Sequence, residues 1–133
     1  MGCSSFSSRK PGNLLRRNLF SVLFTFCISL GFAASLAAAE LVMFEQKGCP
    51  WCAKWDREIG PIYAKSDEGK RVPLRRVDID SPRPSDLAAL GHIRYTPTFV
   101  VMDVGKEVGR ITGYPGDDMF WGLLGQILAK LPQ

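Results

Sequence analysis

The sequence predicts an α/β domain over residues 40–133, a four-stranded mixed sheet with elements in the order β-α-β-α-β-β-α. Three observations lead there. The apolar run Leu41-Val42-Met43-Phe44 is followed by a helical pattern and then a second strand pattern, as in a parallel pair joined by a crossover. Two later strand patterns flank Gly105-Lys106, close enough that they pair as an antiparallel hairpin. A terminal segment then repeats apolar residues at helical spacing.

Taken in order, Leu41 to Phe44 is short, apolar and ended by Gly48 and Pro50, which suits a buried strand. A helix begins at Pro50, because proline is favoured at the first helical position. It carries Trp51, Trp55 and Ile59, and Gly60-Pro61 marks a kink or stop. Ser66 to Lys70 reads as a polar loop. Leu74, Val77 and Ile79 alternate with charged residues, as in a second strand. Ser81-Pro82-Arg83-Pro84 is a rigid connector, and Ser85-Asp86 caps a short helix through Leu90. Thr98 to Met102 is β-branched and aromatic, hence a third strand. The hairpin turn at Gly105-Lys106 leads into a fourth from Glu107 to Thr112. Asp117 and Asp118 suit the start of the last helix, whose buried face is Phe120, Leu124, Ile127, Leu128 and Leu131.

The basic character of the chain, a net charge of +4, belongs to its first 39 residues. These contain Arg9, Lys10, Arg16 and Arg17 and no acid. Setting those four aside leaves 13 of the 17 basic residues against 13 acidic ones, so residues 40–133 are formally neutral. That excludes nucleic-acid binding by bulk charge. Arg16-Arg17, an uncharged apolar run from Leu19 to Leu36 and the small residues Ala37-Ala38-Ala39 form a secretory signal, with Glu40 as the new N-terminus. An uncleaved membrane anchor is the competing reading, since about 20 apolar residues span a bilayer.

Cys3 and Cys27 belong to the leader, so the 94 residues from Glu40 to Gln133 keep only Cys49 and Cys52. A bridge closing so short a loop removes little chain entropy, so reactivity is the better reason for the pair. Thiol–disulfide exchange needs an attacking thiolate and a second thiol that resolves the mixed disulfide. Cys49 falls at a helix N-terminus, where free N–H groups and the helix dipole lower a thiol pKa from about 8.5. One turn inside, Cys52 is the resolving thiol. Pro50 fixes the turn, and Trp51 offers an apolar surface beside the exposed sulfur. Zinc needs about four ligands, and only these two cysteines and the single histidine, His92, are on offer. Covalent haem needs His after the second cysteine, where Ala53 stands. No metal and no cofactor is expected.

Gly48-Cys49-Pro50-Trp51-Cys52, Thr96-Pro97-Thr98-Phe99-Val100 and Gly113-Tyr114-Pro115-Gly116 resemble the thioredoxin superfamily, and the resemblance spans residues 40–133. It implies the minimal thioredoxin fold, with Pro97 cis and facing the active-site disulfide. Thr96 would then present its backbone N–H and C=O to an extended substrate. Trp55-Asp56-Arg57-Glu58-Ile59, Pro73 to Asp78, Gly113 to Asp117 and Phe120 to Leu124 are similar to the periplasmic thioredoxins of bacterial sulfur-oxidation (Sox) gene clusters. That resemblance implies a periplasmic reductase of a protein disulfide, the sulfur carrier of thiosulfate oxidation, with electrons drawn from a membrane thiol transporter.

Some residues depart from the thioredoxin pattern. Thioredoxins carry a buried acid six residues before the nucleophile, and here that residue is Met43. Glu45 shares its strand face and is the candidate substitute, against the plainer reading of an exposed strand-end glutamate. His92 is a candidate shuttle or substrate contact near Pro97, or simply a loop histidine. Arg75-Arg76 reads as a solvated strand edge and Trp121 as packing. Cys-Pro-Trp-Cys is also near the glutaredoxin motif, so a deglutathionylating enzyme is an alternative, as are a disulfide-donating oxidase and a non-enzymatic accessory binder. A monomer is expected, because 94 residues leave no dimerisation segment.

Overall fold

A computed structural model of the chain describes residues 39–132. The secretory signal expected over 1–39 therefore lies outside the described residues, Ala39 excepted. Four strands, β1 (Glu40–Glu45), β2 (Leu74–Asp78), β3 (Thr98–Asp103) and β4 (Lys106–Thr112), form one sheet in the order β2-β1-β3-β4. β1 runs parallel to β2 and antiparallel to β3, and β3 pairs antiparallel with β4. This is the expected four-stranded mixed sheet.

Both faces of the sheet are covered, which is why β1 reads as a continuous apolar run rather than an alternating one. Leu41 and Met43 point to one face with Phe99, Val101 and Ile111, against the helices. Val42, Phe44, Val100 and Met102 point to the other, against Leu87, Leu90 and Ile93. On the helical side α1 (Pro50–Glu58) and α4 (Asp117–Leu128) supply Trp55, Phe120, Leu124 and Ile127. Trp55 is fully buried among Tyr63, Phe99 and Phe120, with ring centroids 5.3–6.0 Å away.

The stretch between β1 and β2 is more helical than expected. α1 ends at Ile59 because Pro61 lacks the N–H that would continue it, and a single turn, α2 (Gly60–Tyr63), restarts there. Residues 66–70, expected as a polar loop, belong instead to α3 (Asp67–Arg71), capped by Ser66, whose Oγ accepts from Gly69 N–H at 3.0 Å. Conversely, the short helix expected from Ser85 to Leu90 is only one 3₁₀ turn, Ser85–Leu87. The hairpin turn is shifted by one residue. Asp103 pairs with Lys106, leaving Val104 and Gly105 as a two-residue loop with φ of 46° and 73°. Arg75 and Arg76 are also more engaged than a solvated edge. Arg75 pairs with Glu40 at 3.2 Å and Asp86 at 2.6 Å, and Arg76 pairs with Glu45 and with Asp56 at 2.8 Å.

Candidate active site

Cys49 and Cys52 form a disulfide across the first turn of α1, with Cα atoms 5.3 Å apart. The polypeptide reaches this position through a tight loop after β1. Gly48 takes φ of 80°, and the Cys49 N–H donates to the Gln46 carbonyl at 3.1 Å. Cys49 is the N-cap residue of α1, and the Cys52 N–H donates to its sulfur at 3.1 Å. An N–H aimed at the sulfur from a helix start favours its thiolate. Pro50 occupies the first helical position. It costs nothing there, since that amide has no partner within the helix.

The two sulfurs differ in access. Cys49 is partly exposed, whereas Cys52 is buried in the helical-side core with Met43, Trp55 and Tyr114. Only the outer sulfur is open to a partner, and the inner one is bonded to Cys49 and shut away in the core. Trp51 stands beside them 54% exposed, a large apolar surface left in water.

The second wall comes from the loop before β3. The Thr96–Pro97 bond is cis, and the Thr96 carbonyl oxygen lies 3.4 Å from Cys49 Sγ. Thr98 Oγ1 donates to the Tyr95 carbonyl at 2.7 Å, and the Gly113 N–H donates to the Pro97 carbonyl at 2.8 Å. Those two bonds hold the loop from both sides. The structure thus brings Cys49, Cys52, Pro50, Trp51, Thr96 and Pro97 together.

Glu45 is placed elsewhere. Its carboxylate binds the Arg76 guanidinium, which also binds Asp56 of α1. Met43 lies in the core around Cys52, no carboxylate is buried among the described residues, and Thr98 is the only buried non-aromatic polar one. His92 is exposed on the loop leading to Pro97. Trp121 packs as expected, stacked on Tyr63 at 6.0 Å.

One group near the disulfide was not anticipated from the sequence. Lys54 Nζ lies 5.6 Å from the Trp51 ring centroid and 6.0 Å from that of Tyr114, and it pairs with Glu58 at 4.0 Å. The Tyr114 hydroxyl donates to Glu58 at 2.7 Å, tying α1 to the loop before α4. Burial and this carboxylate hold the Tyr114 phenol well above its ordinary pKa. The i,i+4 spacing of Lys54 and Glu58 was visible in the sequence, but no local pattern pairs Glu58 with Tyr114, 56 residues away.

A cysteine pair at a helix start, one sulfur open and the other buried, facing a cis-proline loop, is the arrangement of a dithiol exchange centre. The family model of a thioredoxin-like domain matches residues 37–128. The chain belongs to the thioredoxin-like family. Among solved structures, this thioredoxin-like chain is similar to the periplasmic thioredoxin SoxS from Paracoccus pantotrophus. Identity is 44% and the TM-score 0.65, covering 69% of this chain and 97% of that one. A thioredoxin from Thermus thermophilus is 26% identical with a TM-score of 0.55, covering 74% and 82% of the two chains. The Malassezia sympodialis thioredoxin (Mala s 13) is 25% identical with a TM-score of 0.50, covering 67% and 74%. A search of curated proteins finds no match. Fold, cysteine pair and relatives together make this chain a thiol–disulfide oxidoreductase of the thioredoxin type.

Proposed function

We propose that this thioredoxin-like chain is an exported reductase, acting in the periplasm on a disulfide of a partner protein. The partner fitted best is a sulfur carrier of thiosulfate oxidation, kept in its thiol state by electrons from a membrane thiol transporter. The observation that carries this reading is the 44% identity to a periplasmic Sox thioredoxin over 97% of that protein's length. Arg16-Arg17 and the apolar run that follows, ending in Ala37-Ala38-Ala39, support export.

The geometry supports a two-step exchange. In the reduced protein the Cys49 thiolate, favoured by the Cys52 N–H, attacks one sulfur of the substrate disulfide. That bond breaks as the mixed disulfide forms, and the other substrate sulfur leaves as a thiolate. The Thr96 backbone, beside Cys49, receives the substrate as an added strand. Cys52 then loses its proton and attacks Cys49 Sγ, which releases the second substrate thiol. Two electrons have passed to the substrate, and the Cys49–Cys52 disulfide remains to be reduced by the membrane donor. With Met43 where other thioredoxins place an acid, no carboxylate buried among the described residues stands ready for the Cys52 proton. The departing substrate thiolate is the acceptor at hand.

Cys52→Ser tests this directly. The variant retains Cys49 and stops at the mixed disulfide, so a partner protein is trapped covalently and is named by mass spectrometry. Cys49→Ser traps nothing and reduces substrate no faster than buffer. If Cys49→Ser kept full activity, the reductase reading would fail and a binding role would take its place. If Cys52→Ser trapped only glutathione, a deglutathionylating enzyme would replace it.

A further inference from the structure

At the end of the sheet from which the disulfide loop departs, the fold leaves an open cleft of about 800 Å³, lined by Gln46, Asp80, Arg83, His92, Ile93 and Arg94. Its walls are continuous with both loops that frame Cys49. Gln46 accepts the Cys49 N–H at 3.1 Å, and Arg94 stands two residues before Thr96, whose carbonyl is 3.4 Å from Cys49 Sγ. At about 3.3–3.6 Å per extended residue, that two-residue offset spans at most about 7 Å.

The charges of this cleft are unevenly satisfied. Asp80 is held by the Gln46 side-chain amide, which donates to both carboxylate oxygens at 3.1 Å. Arg83 is anchored without neutralisation. Its guanidinium donates to the Leu90 and Gly91 carbonyls at 2.7 and 3.2 Å and lies 5.6 Å from the Phe44 ring centroid. Arg94 is exposed, and it takes part in none of the ion pairs among the described residues. Two arginines and one aspartate therefore line the cleft, and one of the arginines, Arg94, stands two residues from Thr96, where a substrate strand would add.

We propose that this cleft recognises a carboxylate of the protein substrate, an acidic side chain two residues from the cysteine that Cys49 attacks. Arg94 is the group that meets it. The inference rests on the reading of the chain as a reductase of protein disulfides and adds the charge of the segment it prefers. A guanidinium presents paired N–H donors that match a carboxylate. One that joins no ion pair among the described residues, on the loop that leads to Thr96, also draws an acidic segment in and repels a basic one. Arg83 holds the loop that carries His92 and supplies background charge, so the test is made at Arg94.

The experiment compares the full chain, reduced, on disulfide-closed peptides that differ only by Asp or Asn two residues before or after the first cysteine. Exposed ion pairs are worth little, so in one of the two placements the Asp peptide is expected to react about threefold faster at low ionic strength. The advantage shrinks in about 0.5 M salt. Arg94→Gln abolishes the preference, and Arg94→Lys keeps part of it. Equal rates for Asp and Asn in both placements would overturn the carboxylate site and leave the reductase reading intact. So would an Asp advantage that survives Arg94→Gln. Reduction of none of the peptides by the unmodified chain would overturn both.

Discussion

Thr98 is the only buried non-aromatic polar residue among those described, and its hydroxyl ends on the Tyr95 carbonyl 2.7 Å away. Replacing it by valine keeps the shape and leaves that acceptor unpaired, at a cost of about 1–3 kcal/mol. Urea unfolding of Thr98→Val should show a loss of that size, and Thr98→Ser a smaller one. Because this bond braces the loop that carries Thr96, the same variant should also react more slowly with substrate. Cys49 and Cys52 were legible in the sequence because their chemistry depends on residue type at a fixed local spacing. The role of Glu45 was not. Strand alternation put it on the face of Met43, and its carboxylate is claimed by Arg76, 31 residues on. No local pattern announces a partner at that distance.

At the scale of elements, the segment most misread was α3. Its polar composition suggested a loop, yet Ser66 caps it, Asp67 and Glu68 fill its first turn, and Lys70 and Arg71 fill its last. Those are helix-end preferences in the right order, and five residues are too few to show a period. Gly69 fixes its place. A Cβ there would lie 1.8 Å from the Tyr63 carbonyl oxygen, and neither backbone can yield cheaply. Gly69→Ala is expected to cost about 3 kcal/mol in thermal or urea unfolding. The β3–β4 hairpin offers the opposite case. Val104 holds φ of 46° at an exposed turn position, which is costly for a β-branched residue. Asn-Gly is the preferred pair in a two-residue loop with both φ positive. Val104→Asn should therefore stabilise the protein by about 1 kcal/mol, and an unchanged unfolding midpoint would show that the turn relaxes by other means.

For the molecule as a whole, the sheet order was within reach of the sequence because strand patterns and connection lengths allow few topologies. The assignment of the 82–93 segment to the second face was less legible. Its buried residues, Leu87, Leu90 and Ile93, are spaced by three without a helix to carry them beyond Leu87. The folded state also sets a pH limit. Burial, and after it the Glu68 carboxylate, hold the Tyr63 phenol well above its ordinary value near 10. Its hydroxyl donates to the Val72 carbonyl at 2.8 Å and must keep its proton to do so. A raised folded pKa contributes stability that is complete below about pH 10 and declines as the unfolded chain ionises above it. Denaturation midpoints of the wild-type chain should fall between pH 9 and pH 11 more steeply than those of Tyr63→Phe.

The direction of electron flow is the central claim, and the reduction potential of the Cys49–Cys52 pair tests it. A strongly stabilised thiolate makes a dithiol oxidising. Here the Cys52 N–H favours the Cys49 thiolate, while the Thr96 carbonyl, 3.4 Å away, opposes it. Among the described residues no cationic side chain bonds that sulfur. Equilibration against glutathione or dithiothreitol buffers should therefore return a potential near that of reducing thioredoxins, about −270 mV. A value near about −120 mV would contradict it, and would make this thioredoxin-like chain a donor of disulfides.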